Sequence, residues 1–164
     1  LNSALAEKVN LVNAEAVASA RGLAVEERGG RREHGFPDTI EVSGEAATAP
    51  GESAVSAFSV EGTALADTPP RLLRVDGMAL EAPLEGTLLL LRNRDVPGAI
   101  GKIGTLLGTQ NLNIATYALG RREAVRGAEA ISLVRLDGDV SDSVLTPLRE
   151  LEAITEARLI RLRA

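Results

Sequence analysis

The chain has 164 residues, 45% of them apolar and 25% charged, with 18 Lys and Arg against 23 Asp and Glu for a net charge of −5. That length admits one ordinary domain or two small ones, and the apolar fraction belongs to a packed globular protein rather than a disordered or collagen-like chain. The lack of cysteine excludes disulfides, thiolate catalysis and Cys-ligated zinc, while the acidic balance and only three aromatics (Phe36, Phe58, Tyr117) argue against nucleic-acid binding.

The longest apolar run, Leu88 to Leu91, falls far short of the ~20 residues a membrane-spanning helix needs. No charged-then-apolar leader opens the chain at Leu1, and the expectation is a cytoplasmic piece of something longer.

Leu1, Leu5, Val9 and Val12 fall at helical spacing, and Asn13 followed by the alanine-rich stretch Ala14 to Ala20 predicts a second helix that Gly22 can end. Leu23 to Glu27, Asp38 to Gly44 and Ala54 to Glu61 read as strands between the turns Gly29-Gly30, Gly35-Phe36-Pro37 and Ala49-Pro50-Gly51. Arg71 to Val75 and Met78 to Ala82 flank Asp76-Gly77, the dipeptide that a type I′ hairpin needs because both central residues take positive φ.

The pattern changes near Gly86. Strand Thr87 to Asn93, helix Pro97 to Gln110, strand Leu112 to Leu119, a Gly/Arg loop, strand Ala128 to Leu136, helix Ser141 to Glu152 and strand Ala157 to Arg163 follow in the order βαββαβ. Ile100, Ile103 and Leu107 make one helical stripe and Val144, Leu148 and Leu151 another, so both helices can cover one face of a four-stranded sheet. The fold class is α+β: residues 1–85 form an α+β domain, and residues 86–164 a ferredoxin-like one.

Gly98, Gly101, Gly104 and Gly108 follow an apolar strand, but their spacing is not the G-x-G-x-x-G of dinucleotide-binding loops, and Gly101-Lys102 continues with Ile103 where a P-loop needs Ser or Thr. These small residues suit close approach of the helix to its sheet or to a partner helix. The junction Asn93-Arg94-Asp95-Val96-Pro97-Gly98 carries more chemistry. Pro97 suits the first helical position, and Asp95 can cap the helix or face its terminus.

A capped helix explains this junction. So does a ligand site, in which backbone N–H groups of Gly98, Ala99 and Ile100 hold a carboxylate, Asp95 takes an ammonium group, and Asn113 supplies an amide. Together these suit a zwitterionic amino acid.

Asp95-Val96-Pro97-Gly98-Ala99-Ile100-Gly101-Lys102-Ile103-Gly104-Thr105-Leu106-Leu107, closed by Asn111-Leu112-Asn113-Ile114, resembles an ACT domain of the D-3-phosphoglycerate dehydrogenase type. Val9-Asn10-Leu11-Val12-Asn13-Ala14, Ala20-Arg21-Gly22-Leu23 and Val75-Asp76-Gly77 resemble the intervening, anion-binding domain of the long form of that enzyme. The resemblance covers essentially the whole chain.

It implies a C-terminal regulatory segment that binds L-serine as feedback inhibitor and pairs its ACT domains into a homodimer or tetramer. The parent enzyme oxidises 3-phosphoglycerate with NAD in upstream catalytic domains. The segment itself needs no cofactor, carries no catalytic set and touches neither nucleic acid nor membrane.

By resemblance, Asn93, Asp95 and Asn113 contact the effector, with Pro97, Gly98, Ala99, Ile100 and Ile114 around them. Relatives often carry His or Tyr where Asn93 stands, and Asn113 can come from the opposite subunit. Arg71, Arg74 and Arg135 are candidates for an anion site, against ordinary surface charge as the simpler reading. His34, the only histidine, reads as a solvated loop residue, and Gly120 to Gly127 as a mobile hairpin connection. Two alternatives remain: a free-standing ACT-type sensor, or an oligomerisation module, acting on a separate partner.

Overall fold

The computed structural model describes residues 9–10, 12–22, 24–26, 29, 36, 38–47, 55–64, 68–138 and 140–162. It divides the chain into two compact units, residues 1–33 and 34–164.

In the first unit, helix α1 (Ala14–Ala20) ends at Arg21 and Gly22, whose φ of 74° is the left-handed terminus expected of it. Asn10 and Asn13 organise the entry reciprocally: the Asn10 Oδ1 accepts from the Val12 and Asn13 N–H groups, and the Asn13 Oδ1 accepts from the Asn10 N–H at 2.8 Å. Ala24 to Glu26 are not in a strand, contrary to expectation. Strand propensity without a neighbouring ladder does not hold backbone extended. The first predicted helix lies outside the described residues up to Lys8, as do His34 and the turn Ala49-Pro50-Gly51.

The second unit holds two four-stranded antiparallel sheets. The first is a meander of β1 (Ile40–Ala47), β2 (Val55–Thr63), β3 (Arg71–Val75) and β4 (Met78–Pro83). Asp76 and Gly77 have φ of 48° and 76°, as the hairpin between β3 and β4 requires. Leu84 to Gly86 then lead into β5 (Thr87–Arg94), α2 (Ala99–Thr109), β6 (Ile114–Arg121), β7 (Glu129–Leu136), a 3-10 turn (Asp142–Val144), α3 (Leu145–Arg149) and β8 (Ile154–Arg161). The strand order β6-β7-β5-β8 in this second sheet is the ferredoxin-like arrangement.

Helix α3 is shorter than the span Ser141 to Glu152 that its pattern predicts. Pro147 has no N–H to donate to Ser143, so the opening turn stays 3-10, with the Ser141 hydroxyl accepting from the Ser143 N–H at 3.3 Å.

Both faces of the second sheet are covered. Leu89, Leu91, Val134 and Leu136 meet Ile103 and Leu107 of α2 and Val144 and Leu148 on the helix side. Leu88, Ile131 and Leu133 pack on the opposite side against Leu72, Val75, Met78, Leu80 and Ala82 of the first sheet. Two-sided burial is why β5 reads as a continuous apolar run rather than an alternating one. Gly120 on β6 lets the sheets come this close: a Cβ there would lie 2.5 Å from the Ala79 carbonyl oxygen.

Candidate functional site

The junction from β5 to α2 opens into a hollow of about 420 Å³, lined by Asn93, Asp95, Val96, Pro97, Gly98, Ala99, Ile100, Gly101, Leu119, Arg121, Ala124, Val125 and Arg126. Six of the eight residues expected to contact an effector meet here. The other two do not. Asn113 and Ile114 sit at the start of β6, whose far end, Arg121, borders the hollow. Arg121 lies eight positions beyond Asn113, roughly 26 Å at about 3.3 Å per residue. The Asn113 amide donates to Asp137 Oδ2 at 2.6 Å, and Ile114 packs against the helix-side core.

Helix α2 begins later than its sequence predicts. Pro97 and Gly98 form a turn, Gly98 takes φ of 85°, and Ala99 is the first helical residue, so Pro97 is not at the first helical position. No side chain caps the helix, Asp95 included. The Ala99 N–H is not free either, since it donates to the Val96 carbonyl at 3.2 Å. Among the described residues, the N–H groups of Gly98, Ile100 and Gly101 make no backbone bond and aim outward at the helix start, where the helix dipole favours an anion. A Cβ at Gly98, Gly101, Gly104 or Gly108 would meet nothing within 4 Å, so these glycines do not serve close packing of the helix on its own sheet.

Asp95 is held by its backbone, its N–H donating to the Ala128 carbonyl and its own carbonyl accepting from the Gly127 N–H, both at 2.8 Å. Its carboxylate pairs with Arg121 Nε at 3.1 Å. Those two backbone bonds anchor the far end of the loop Gly120 to Gly127, whose exposed residues Ala124, Val125 and Arg126 line one side of the hollow. Sequence reasoning missed Ala124, Val125 and Arg126 for this reason, and Leu119 and Arg121 because they reach the hollow on β6.

Asn93, buried at 3% exposure, forms the floor. The Tyr117 hydroxyl donates to Ser132 Oγ at 2.9 Å, and Ser132 donates in turn to Asn93 Oδ1 at 3.3 Å. Asn93 Nδ2 donates to the Arg94 carbonyl at 3.0 Å. The side-chain amide is thereby oriented from both ends, by the buried Ser132 hydroxyl and the Arg94 carbonyl. Burial pushes the Tyr117 hydroxyl above its ordinary pKa against the opposing hydrogen bond to Ser132, so it stays a neutral donor.

The candidate anion residues each meet their own carboxylate: Arg71 with Glu81 at 2.9 Å, Arg74 with Glu61 at 3.4 Å, and Arg135 with Glu85 at 3.0 Å. Among the described residues, no group of three or more His, Cys, Asp or Glu gathers to hold a metal ion. No described helix is long and apolar enough to cross a membrane.

Fold and site together define an α+β protein whose ferredoxin-like unit carries an open polar hollow at its first strand-to-helix junction. No family model matches the sequence. Over nearly its full length, however, the chain is similar to D-3-phosphoglycerate dehydrogenases. It is 30% identical to that of Bacillus subtilis over 94% of this chain, 34% identical to that of Synechocystis over 99%, and 32% identical to that of Methanocaldococcus jannaschii over 99%. It spans 28%, 28% and 29% of those relatives' lengths, so what it matches is a segment of the enzyme.

Proposed function

We propose that this chain is the C-terminal regulatory segment of a D-3-phosphoglycerate dehydrogenase, in which residues 86–164 act as an ACT domain that binds L-serine and feeds back on serine synthesis. The NAD-dependent oxidation of 3-phosphoglycerate belongs to catalytic domains outside this sequence. The observation that carries the reading is the hollow itself. It places an acidic side chain, Asp95, beside outward peptide N–H groups of Gly98, Ile100 and Gly101, which is the donor and acceptor set a zwitterionic amino acid needs.

The two outlying residues fit this reading through a second copy of the chain. Among the described residues, β6 is an edge strand with one unpaired side. Antiparallel pairing of β6 with its counterpart sets the start of one strand beside the end of the other, which delivers the second copy's Asn113 to the hollow. A ligand gripped by two subunits stabilises the arrangement that brings its contacts together, and can shift the enzyme by that differential affinity.

Calorimetric titration with L-serine, with glycine and D-serine as comparisons, tests the assignment. L-serine binding is expected, weakened at least tenfold in Asp95→Ala and in Asn113→Ala through loss of charge-assisted or buried hydrogen bonds worth about 1.5–3 kcal/mol. Equal binding by both variants would exclude the site.

A further inference from the structure

The carboxylate assigned to an ammonium group already has a partner. Asp95 Oδ2 lies 3.1 Å from Arg121 Nε, and both residues line the hollow. Resting on the reading above, we propose that Arg121 is a built-in counter-ion that the ligand's ammonium must displace. It thereby sets how strongly the hollow distinguishes an amino acid from the same acid lacking the amine.

An amino acid gains a charge-assisted contact to Asp95 and forfeits the weaker, more exposed Asp95–Arg121 pair, so part of the gain is offset. A hydroxy acid leaves that pair intact and relies on the peptide N–H groups alone. The pair is also built to open from one side. Asp95 is fixed at the end of β5 by backbone bonds to Gly127 and Ala128 and is 23% exposed, whereas Arg121 ends the edge strand β6 and is 52% exposed. Arg121 can therefore swing into water without stranding a buried charge. Its neighbour Arg122 is paired with Glu129 instead, at 2.8 Å.

The test is calorimetric titration of the whole chain and its Arg121→Gln and Arg121→Lys variants with L-serine and with L-glycerate, its hydroxy counterpart. An ion pair this exposed is weak, so Arg121→Gln is expected to bind L-serine about two- to fivefold tighter. L-glycerate should not gain, and Arg121→Lys should return the serine-to-glycerate ratio to that of the parent chain. Unchanged or weaker L-serine binding in Arg121→Gln overturns the proposal while leaving the site intact. An equal gain for both ligands also overturns it, by showing that Arg121 obstructs the hollow sterically. Failure of the parent chain and both variants to bind L-serine sinks the site reading, and this inference with it.

Discussion

Arg92 gathers three carboxylates on one guanidinium: Asp76 of the β3–β4 turn, Glu129 at 2.8 Å and Glu156 at 3.1 Å. It thus ties the first sheet's hairpin to the second sheet. Burial pushes the Asp76 carboxyl upward, but the Ser59 N–H at 2.7 Å and Arg92 outweigh it and hold Asp76 below the usual carboxylate range. The hydrogen bond from Arg122 holds Glu129 low as well, against some burial and with help from Arg92. Both groups therefore bind protons more weakly folded than unfolded. Their stabilisation is present above the usual carboxylate range and is lost as pH falls through the lowered folded values. Arg92→Met is expected to cost roughly 1–3 kcal/mol near neutral pH, a gap that narrows below about pH 4. Urea unfolding across a pH series checks this; a gap of constant size at every pH would assign the loss to packing instead.

Helix α2 shows how a small rotation of the buried face changes which side chains matter. The spacing puts Ile100, Ile103 and Leu107 on one stripe, but packing on the sheet selects the i, i+4, i+8 row instead. Ala99, Ile103 and Leu107 are buried, and Ile100 is left 48% exposed on the rim of the hollow. Ile103→Ala should cost about 2–5 kcal/mol and Ile100→Ala less than about 0.5 kcal/mol in thermal or urea unfolding. Comparable losses would contradict this helix placement. Elements set by turn chemistry were legible from sequence: β3 matches its expected span because Asp76-Gly77 dictates where it ends. The span after Gly22 was not legible, because a strand exists only where another chain segment completes its ladder.

For residues 34–164, the consequence of two-sided burial is mechanical unity. Leu88 faces the first sheet and Leu89 the helices, and both are essentially inaccessible to water. Leu88→Ala and Leu89→Ala should each cost about 2–5 kcal/mol, where a sheet with one wet face would tolerate one of them. Hydrogen exchange should show β4 and α2 losing protection in the same unfolding event; separate events would mean that the shared core does not couple the sheets.

The amino-acid order alone determined the class of fold, the βαββαβ succession of residues 86–164, the hairpin at Asp76-Gly77 and the junction that carries Asn93, Asp95 and Gly98. Apolar period and turn preference act over a few residues and can be read directly. Only the tertiary structure decided that Asp95 is paired with Arg121, that the Gly120–Gly127 loop lines the hollow, and that Asn113 stands at the other end of the sheet. Those facts depend on backbone bonds between Asp95 and residues some thirty positions away, and on the direction of an edge strand. Neither leaves a local signature in sequence, because the partners meet only when the sheet is assembled.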